Sequence, residues 1–195
     1  MYLKIIKKEL QFIIPIFLCF LFFFIVNIRG LFNISEFSYW SGLITKQSYR
    51  IVSYSFNHRD LNHLFSNLFG IILVRYCFLN LNLRNKNLFL YLIILLIPFQ
   101  TIFLFILDNY LIYNYNHQLV GFSGVIFGSY IFILLCSVYG KKTIFNIFTG
   151  LEKNNDIKKL MLVSLSFGIA YSFLPNISLS GHLAGVLSGI AVFFL

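Results

Sequence analysis

The stretch Leu88-Phe89-Leu90-Tyr91-Leu92-Ile93-Ile94-Leu95-Leu96-Ile97-Pro98-Phe99-Gln100-Thr101-Ile102-Phe103-Leu104-Phe105-Ile106-Leu107 carries no charge. At about 1.5 Å per residue it is long enough to cross about 30 Å of hydrocarbon as a helix. Five similar runs flank it, at 10–28, 64–79, 121–139, 160–174 and 181–195. In a chain of 195 residues that is 59% apolar, 11% charged and 19% aromatic, so much apolar surface exceeds what one soluble core can hide. The expected fold class is an all-α polytopic membrane protein, a bundle of six transmembrane helices in a single membrane domain over residues 1–195. The composition excludes a disordered chain and a disulfide scaffold. A nucleic-acid partner is not expected either, because the net charge of +9 is split between apolar runs and forms no basic stripe. Cys19, Cys77 and Cys136 each sit inside an apolar run and read as small packing residues.

Lysine and arginine give the orientation. Lys4, Lys7 and Lys8 precede the first run; Arg75, Arg84 and Lys86 mark the second turn, and Lys141, Lys142, Lys153, Lys158 and Lys159 the fourth. The first inter-span segment holds Arg29, Lys46, Arg50 and Arg59, while 108–120 and 175–180 hold no basic residue. The positive-inside rule then puts both termini in the cytoplasm. The expected location is a bacterial plasma membrane, with the second, fourth and sixth spans beginning at the outer face. The first run is too long for a signal-peptide core and no small-residue cleavage site follows it, so it reads as a membrane helix. The fifth and sixth runs are short for the bilayer, which calls for local thinning or for helices that start below the surface and open a wet cavity. The connection over 29–58 is apolar enough to lie in the interface as a structured loop.

Polar residues at membrane helix ends are functional candidates, and three clusters stand on the outer side. The first contains His58, His63 and Asn67. His63 and Asn67 are four apart and share a helix face, while His58 lies about 140° round from His63 at about 100° per residue. A hydrogen-bonded helix start explains this cluster equally well, and no offset fits a metal site. The second is Gly121-Phe122-Ser123-Gly124, with Gly128 one turn on. A serine in the first helical turn lies beside unpaired N–H groups and the positive dipole end, the environment an oxyanion needs. A serine cap with small-residue packing is the plain alternative. The third is His182 with Gly181, Gly185 and Gly189, a second glycine stripe at four-residue spacing. Two such stripes let two helices pack closely, and Ser123 and His182 would then meet at one depth as nucleophile and base. A buried histidine bonded to a carbonyl is the alternative for His182. No carboxylate lies in either helix, so a dyad is expected, with Asp108 left without a reason to orient His182 and His117 read as a solvated loop residue.

In combination these motifs resemble the rhomboid family of intramembrane serine proteases, over all six runs in order. The resemblance implies a rhomboid-like bundle in which Ser123 and His182 are the catalytic pair. It implies that His63 and Asn67 help form the oxyanion hole, with His58 and Gly121 as active-site support. The family often stacks a tyrosine on the catalytic histidine; here Phe127 takes that place and lacks the hydroxyl. Where the family's interfacial loop carries Trp-Arg, this chain has Tyr49-Arg50. The implied partners are single-span membrane protein substrates and the lipid bilayer, with no cofactor and no metal. A non-cutting relative that binds membrane proteins and a small transporter are the rival readings. The absence of an acidic residue at mid-span disfavours the transporter.

Overall fold

The structure, a computed structural model, describes residues 2–28, 32–175 and 177–195, with side chains over 8–27, 32–175 and 177–195. Arg29 and Asn176 lie outside the described residues, as do the side chains of Lys4 and Lys7. Seven α-helices are present among the described residues: α1 (Tyr2–Phe23), α2 (Arg50–Phe56), α3 (Leu61–Asn80), α4 (Leu88–Ile106), α5 (Ser123–Tyr139), α6 (Asn155–Tyr171) and α7 (Leu179–Phe194). Three segments, Lys8–Asn27, Leu61–Asn80 and Leu88–Leu111, are long and apolar enough to cross a membrane, and α5 and α7 are shorter apolar helices. The expected six helices are thus seven, because α2 forms within the first connection.

Side chains explain where these helices begin. Asp60 caps α3 by accepting the His63 N–H at 2.8 Å. Helix α3 therefore starts after His58, and the angular relation expected between His58 and His63 does not apply. Asn154 caps α6 by accepting the N–H groups of Asp156 and Ile157. That cap moves the helix to 155–171 from the expected 160–174. Ser178 caps α7 through the Gly181 N–H at 3.1 Å. Helix α5 begins at Ser123 because Gly121, at φ +116°, turns the chain just before it.

Helix α5 is central, packed on α7, α6, α3 and α4, while α1 lies against α3 and α4. Phe78, Phe89, Leu92, Phe132 and Ile133 fill the core between α3, α4 and α5. Cys19, Cys77 and Cys136 are buried free thiols. Outward-facing Phe17, Phe69, Ile94 and Phe167 are all more than 60% exposed, a surface that suits lipid and not water. Helix α1 is tied in by polar bonds as well. Glu9 accepts two hydrogen bonds from Arg75, at 2.6 and 2.9 Å, and Gln11 accepts the Phe89 N–H at 2.9 Å; in the helical turn that follows α1, Asn27 donates to the His58 carbonyl at 2.9 Å.

Two small sheets close the ends of the bundle. Strand β1 (Tyr39–Trp40) pairs antiparallel with β2 (Gln118–Leu119), joining the first connection to the chain just ahead of α5. At the opposite end β3 (Lys141–Ile144) and β4 (Ile147–Leu151) form a hairpin through Phe145 and Asn146, both at positive φ. This hairpin is absent from the sequence expectations, because a phenylalanine at a left-handed turn position gives no glycine signal.

Candidate active site

The glycine stripes bring α5 and α7 into backbone contact. A Cβ on Gly185 would collide with the Gly124 carbonyl, one on Gly189 with the Gly128 carbonyl, and one on Gly128 would lie 2.9 Å from the Gly185 carbonyl oxygen. With the two helices held this closely, His182 Nε2 stands 3.0 Å from Ser123 Oγ. Phe127, one turn along α5, stacks on the imidazole with centroids 4.2 Å apart and planes 11° from parallel. Gly168 on α6 makes room for that ring, since a Cβ there would come within 2.5 Å of Phe127 Cζ.

The pair lies in a cavity of about 460 Å³ whose lining includes Ser123, His182, His63, Asn67, Phe127 and Tyr171. His63 and Asn67 share a face of α3 as the spacing suggests, and Asn67 donates one amide hydrogen to the His63 carbonyl at 3.0 Å. Gly121 is the link between them and Ser123: a Cβ at that position would lie 2.5 Å from His63 Nε2, so only glycine lets the backbone ahead of the serine approach α3. The Gly121 N–H donates to the Tyr54 carbonyl at 2.9 Å, which anchors the turn on α2. His58 is fully buried beside the cavity, its ring centroid 5.1 Å from that of His63 and its Nδ1–H donating to the Phe56 carbonyl at 3.0 Å. Burial pushes its imidazole down to about 3. It is therefore a neutral wall behind His63 at any physiological pH.

Arg50 is buried and donates to the carbonyls of Ser35 and Ser38, each at 2.7 Å, and to Gln47 Oε1 at 2.6 Å. Its task is to hold the first connection together, and the Tyr49 ring lies 5.5 Å from its guanidinium carbon. His117 is not a solvated loop residue. Its Nδ1 donates to the buried Asp108 carboxylate at 2.8 Å, and Nε2 lies 3.4 Å from Ser178 Oγ. The carboxylate that sequence reasoning left without a task thus fixes the loop beside the site. Sequence reasoning missed Ser172 altogether. Its hydroxyl sits 2.5 Å from His182 Nδ1, and nothing in the spacing of Tyr171-Ser172-Phe173 announces it. Among the described residues no group of three or more His, Cys, Asp or Glu could hold a metal ion.

A serine hydroxyl 3.0 Å from an imidazole nitrogen, at the start of a helix and inside an apolar bundle, has the layout of an acyl-transfer centre. The family model described as Rhomboid domain matches residues 45–195, well over half of the chain. The chain belongs to the rhomboid family. No curated protein matches it. Rhomboids are membrane-embedded and typically intramembrane serine proteases, and the matched region of this rhomboid contains every residue of the cavity. Helix α1 lies ahead of the match.

Proposed function

We propose that this rhomboid is an intramembrane serine endopeptidase that cuts single-span membrane proteins near the outer face through a Ser123–His182 dyad. The observation that carries the proposal is the 3.0 Å contact between Ser123 Oγ and His182 Nε2, both of which line the cavity. Ser123 Oγ attacks the scissile carbonyl while its proton passes to His182 Nε2. The negative charge forms beside the Ser123 N–H, which as the first N–H of α5 has no partner within the helix. Asn67, with one amide hydrogen unused, and His63 flank that position. His182 then gives its proton to the leaving amine, and water entering through the cavity releases the acyl group from Ser123. Six helices, α1 and α3 to α7, span the bilayer, with α2 in the interface. At 17 and 16 residues, α6 and α7 reach about 26 Å and 24 Å, short of the hydrocarbon core. The basic residues at the hairpin end support cytoplasmic termini and a site opening outward.

A fluorophosphonate probe tests the reaction class. It is expected to label Ser123 in the wild-type protein, and to label neither Ser123→Ala nor His182→Ala. A folded wild-type protein that takes no label would favour a non-cutting relative. Asn67→Ala tests the charge-stabilising role. The interaction exists mainly in the transition state, so kcat should fall by about 10² to 10³ while KM changes little. A large rise in KM with kcat intact would move Asn67 from catalysis to substrate binding.

A further inference from the structure

Ser172 caps the C-terminal end of α6 and is 2% exposed. Its Oγ lies 2.7 Å from the Gly168 carbonyl oxygen and 2.5 Å from His182 Nδ1. A carbonyl oxygen only accepts. The single hydroxyl hydrogen is therefore committed to Gly168, and the contact with His182 has to be made by an Nδ1–H donating to the hydroxyl's lone pair. An imidazole protonated on Nδ1 is bare on Nε2, the nitrogen that faces Ser123 Oγ. We infer that Ser172 is a positioning residue that holds His182 in its Nδ1–H tautomer, in the place where a carboxylate stands in a triad. The inference rests on the dyad reading above and adds to it the group that orients the base.

The surroundings leave this task to Ser172. Phe127 restrains the tilt of the imidazole by stacking, but a phenyl ring does not distinguish one ring nitrogen from the other. The Asp108 carboxylate is engaged by His117. In the proton transfer the Ser123 O–H bond breaks, the proton joins Nε2, and the Nδ1–H remains where it was. Ser172 neither gains nor loses a proton. The imidazolium so formed keeps its hydrogen bond to Ser172, the C-cap of α6, where the negative end of the helix dipole favours a cation. A neutral hydroxyl orients the base without adding a second buried charge to an apolar bundle. The same serine also ties the base to α6: the helix that lines one wall of the cavity through Gly168 and Tyr171 carries the group that sets the tautomer of the histidine on α7.

A serine that only bonds back to the carbonyl four residues earlier, as serines in helices do, would make the same contact with Gly168 and have no effect on the imidazole. Nitrogen-15 spectra of the full-length, histidine-labelled protein at pH 8 separate the two, with the His182 signal identified by its loss in His182→Ala. The wild-type spectrum should show a protonated Nδ1 and a bare Nε2; a protonated Nε2 would overturn the inference without any variant at position 172. In Ser172→Ala both tautomers should become populated, and an unchanged spectrum would equally overturn it. In kinetics Ser172→Ala should lower kcat by about tenfold to a hundredfold with KM within twofold, since a misdirected base loses the chemical step and not binding. Ser172→Thr, which keeps the hydroxyl, should restore kcat; equal losses in the alanine and threonine variants at unchanged melting temperature would show a packing role. Failure of the protease reading is seen separately, as a folded wild-type protein that takes no fluorophosphonate label, whereas the tautomer is read from the spectrum whatever the activity.

Discussion

Cleavage of a single-span substrate is expected to disappear in Ser123→Ala and in His182→Ala, with the fold intact in both. The two atoms form one unit, so either loss removes nearly the whole of nucleophilic catalysis. In serine hydrolases such losses amount to about 10⁴- to 10⁶-fold in kcat. Neither change threatens the bundle. Among the described residues the Ser123 side chain hydrogen-bonds to His182, and the close packing of α5 on α7 rests on glycines. Turnover in a reconstituted bilayer, measured beside the melting temperature, checks the expectation. Wild-type turnover in either folded variant would remove the dyad.

Gly185→Leu should be the most damaging substitution away from the reacting atoms. A Cβ at 185 meets the backbone of Gly124, its carbonyl carbon at 2.9 Å and its Cα at 3.0 Å in addition to the carbonyl oxygen. Backbone atoms have no rotamer to change, so α7 itself has to move. Overpacking of this kind typically costs about 1 to 3 kcal/mol. The displacement also separates His182 from Ser123, which sits beside Gly124, and a misplacement of about 1 Å costs about a hundredfold in rate. Melting temperature and activity should fall together. A Gly185→Leu protein with full activity would show that the helices do not need this contact.

Much of this arrangement was legible in the sequence for a specific reason. A glycine stripe on each of two helices fixes both which faces meet and how closely, so the level of Ser123 relative to His182 follows from local spacing. Gly121 was legible as part of the serine motif, but its reason was not, since the side chain it makes room for, His63, comes from another helix. Ser172 and His117 were opaque for the same cause. Each is defined by a partner that only the fold supplies, Nδ1 of His182 for one and Asp108 for the other. The polar run 114–118 has the composition of a solvated loop, and composition does not show a carboxylate buried next to it. The start of α6 was displaced because hydropathy ignores the polar first turn that Asn154 caps.

The ion pair between Glu9 and Arg75 bears on how the helix ahead of the family match is held. Arg75 lies in the latter part of α3 with its side chain partly exposed, and Glu9 on α1 receives it through two hydrogen bonds. A bidentate pair fixes direction as well as distance, so sliding α1 by one turn, about 5.4 Å, would part the charges. The pair is a registry pin, and it sets the level of α1 against the helix that carries His63 and Asn67.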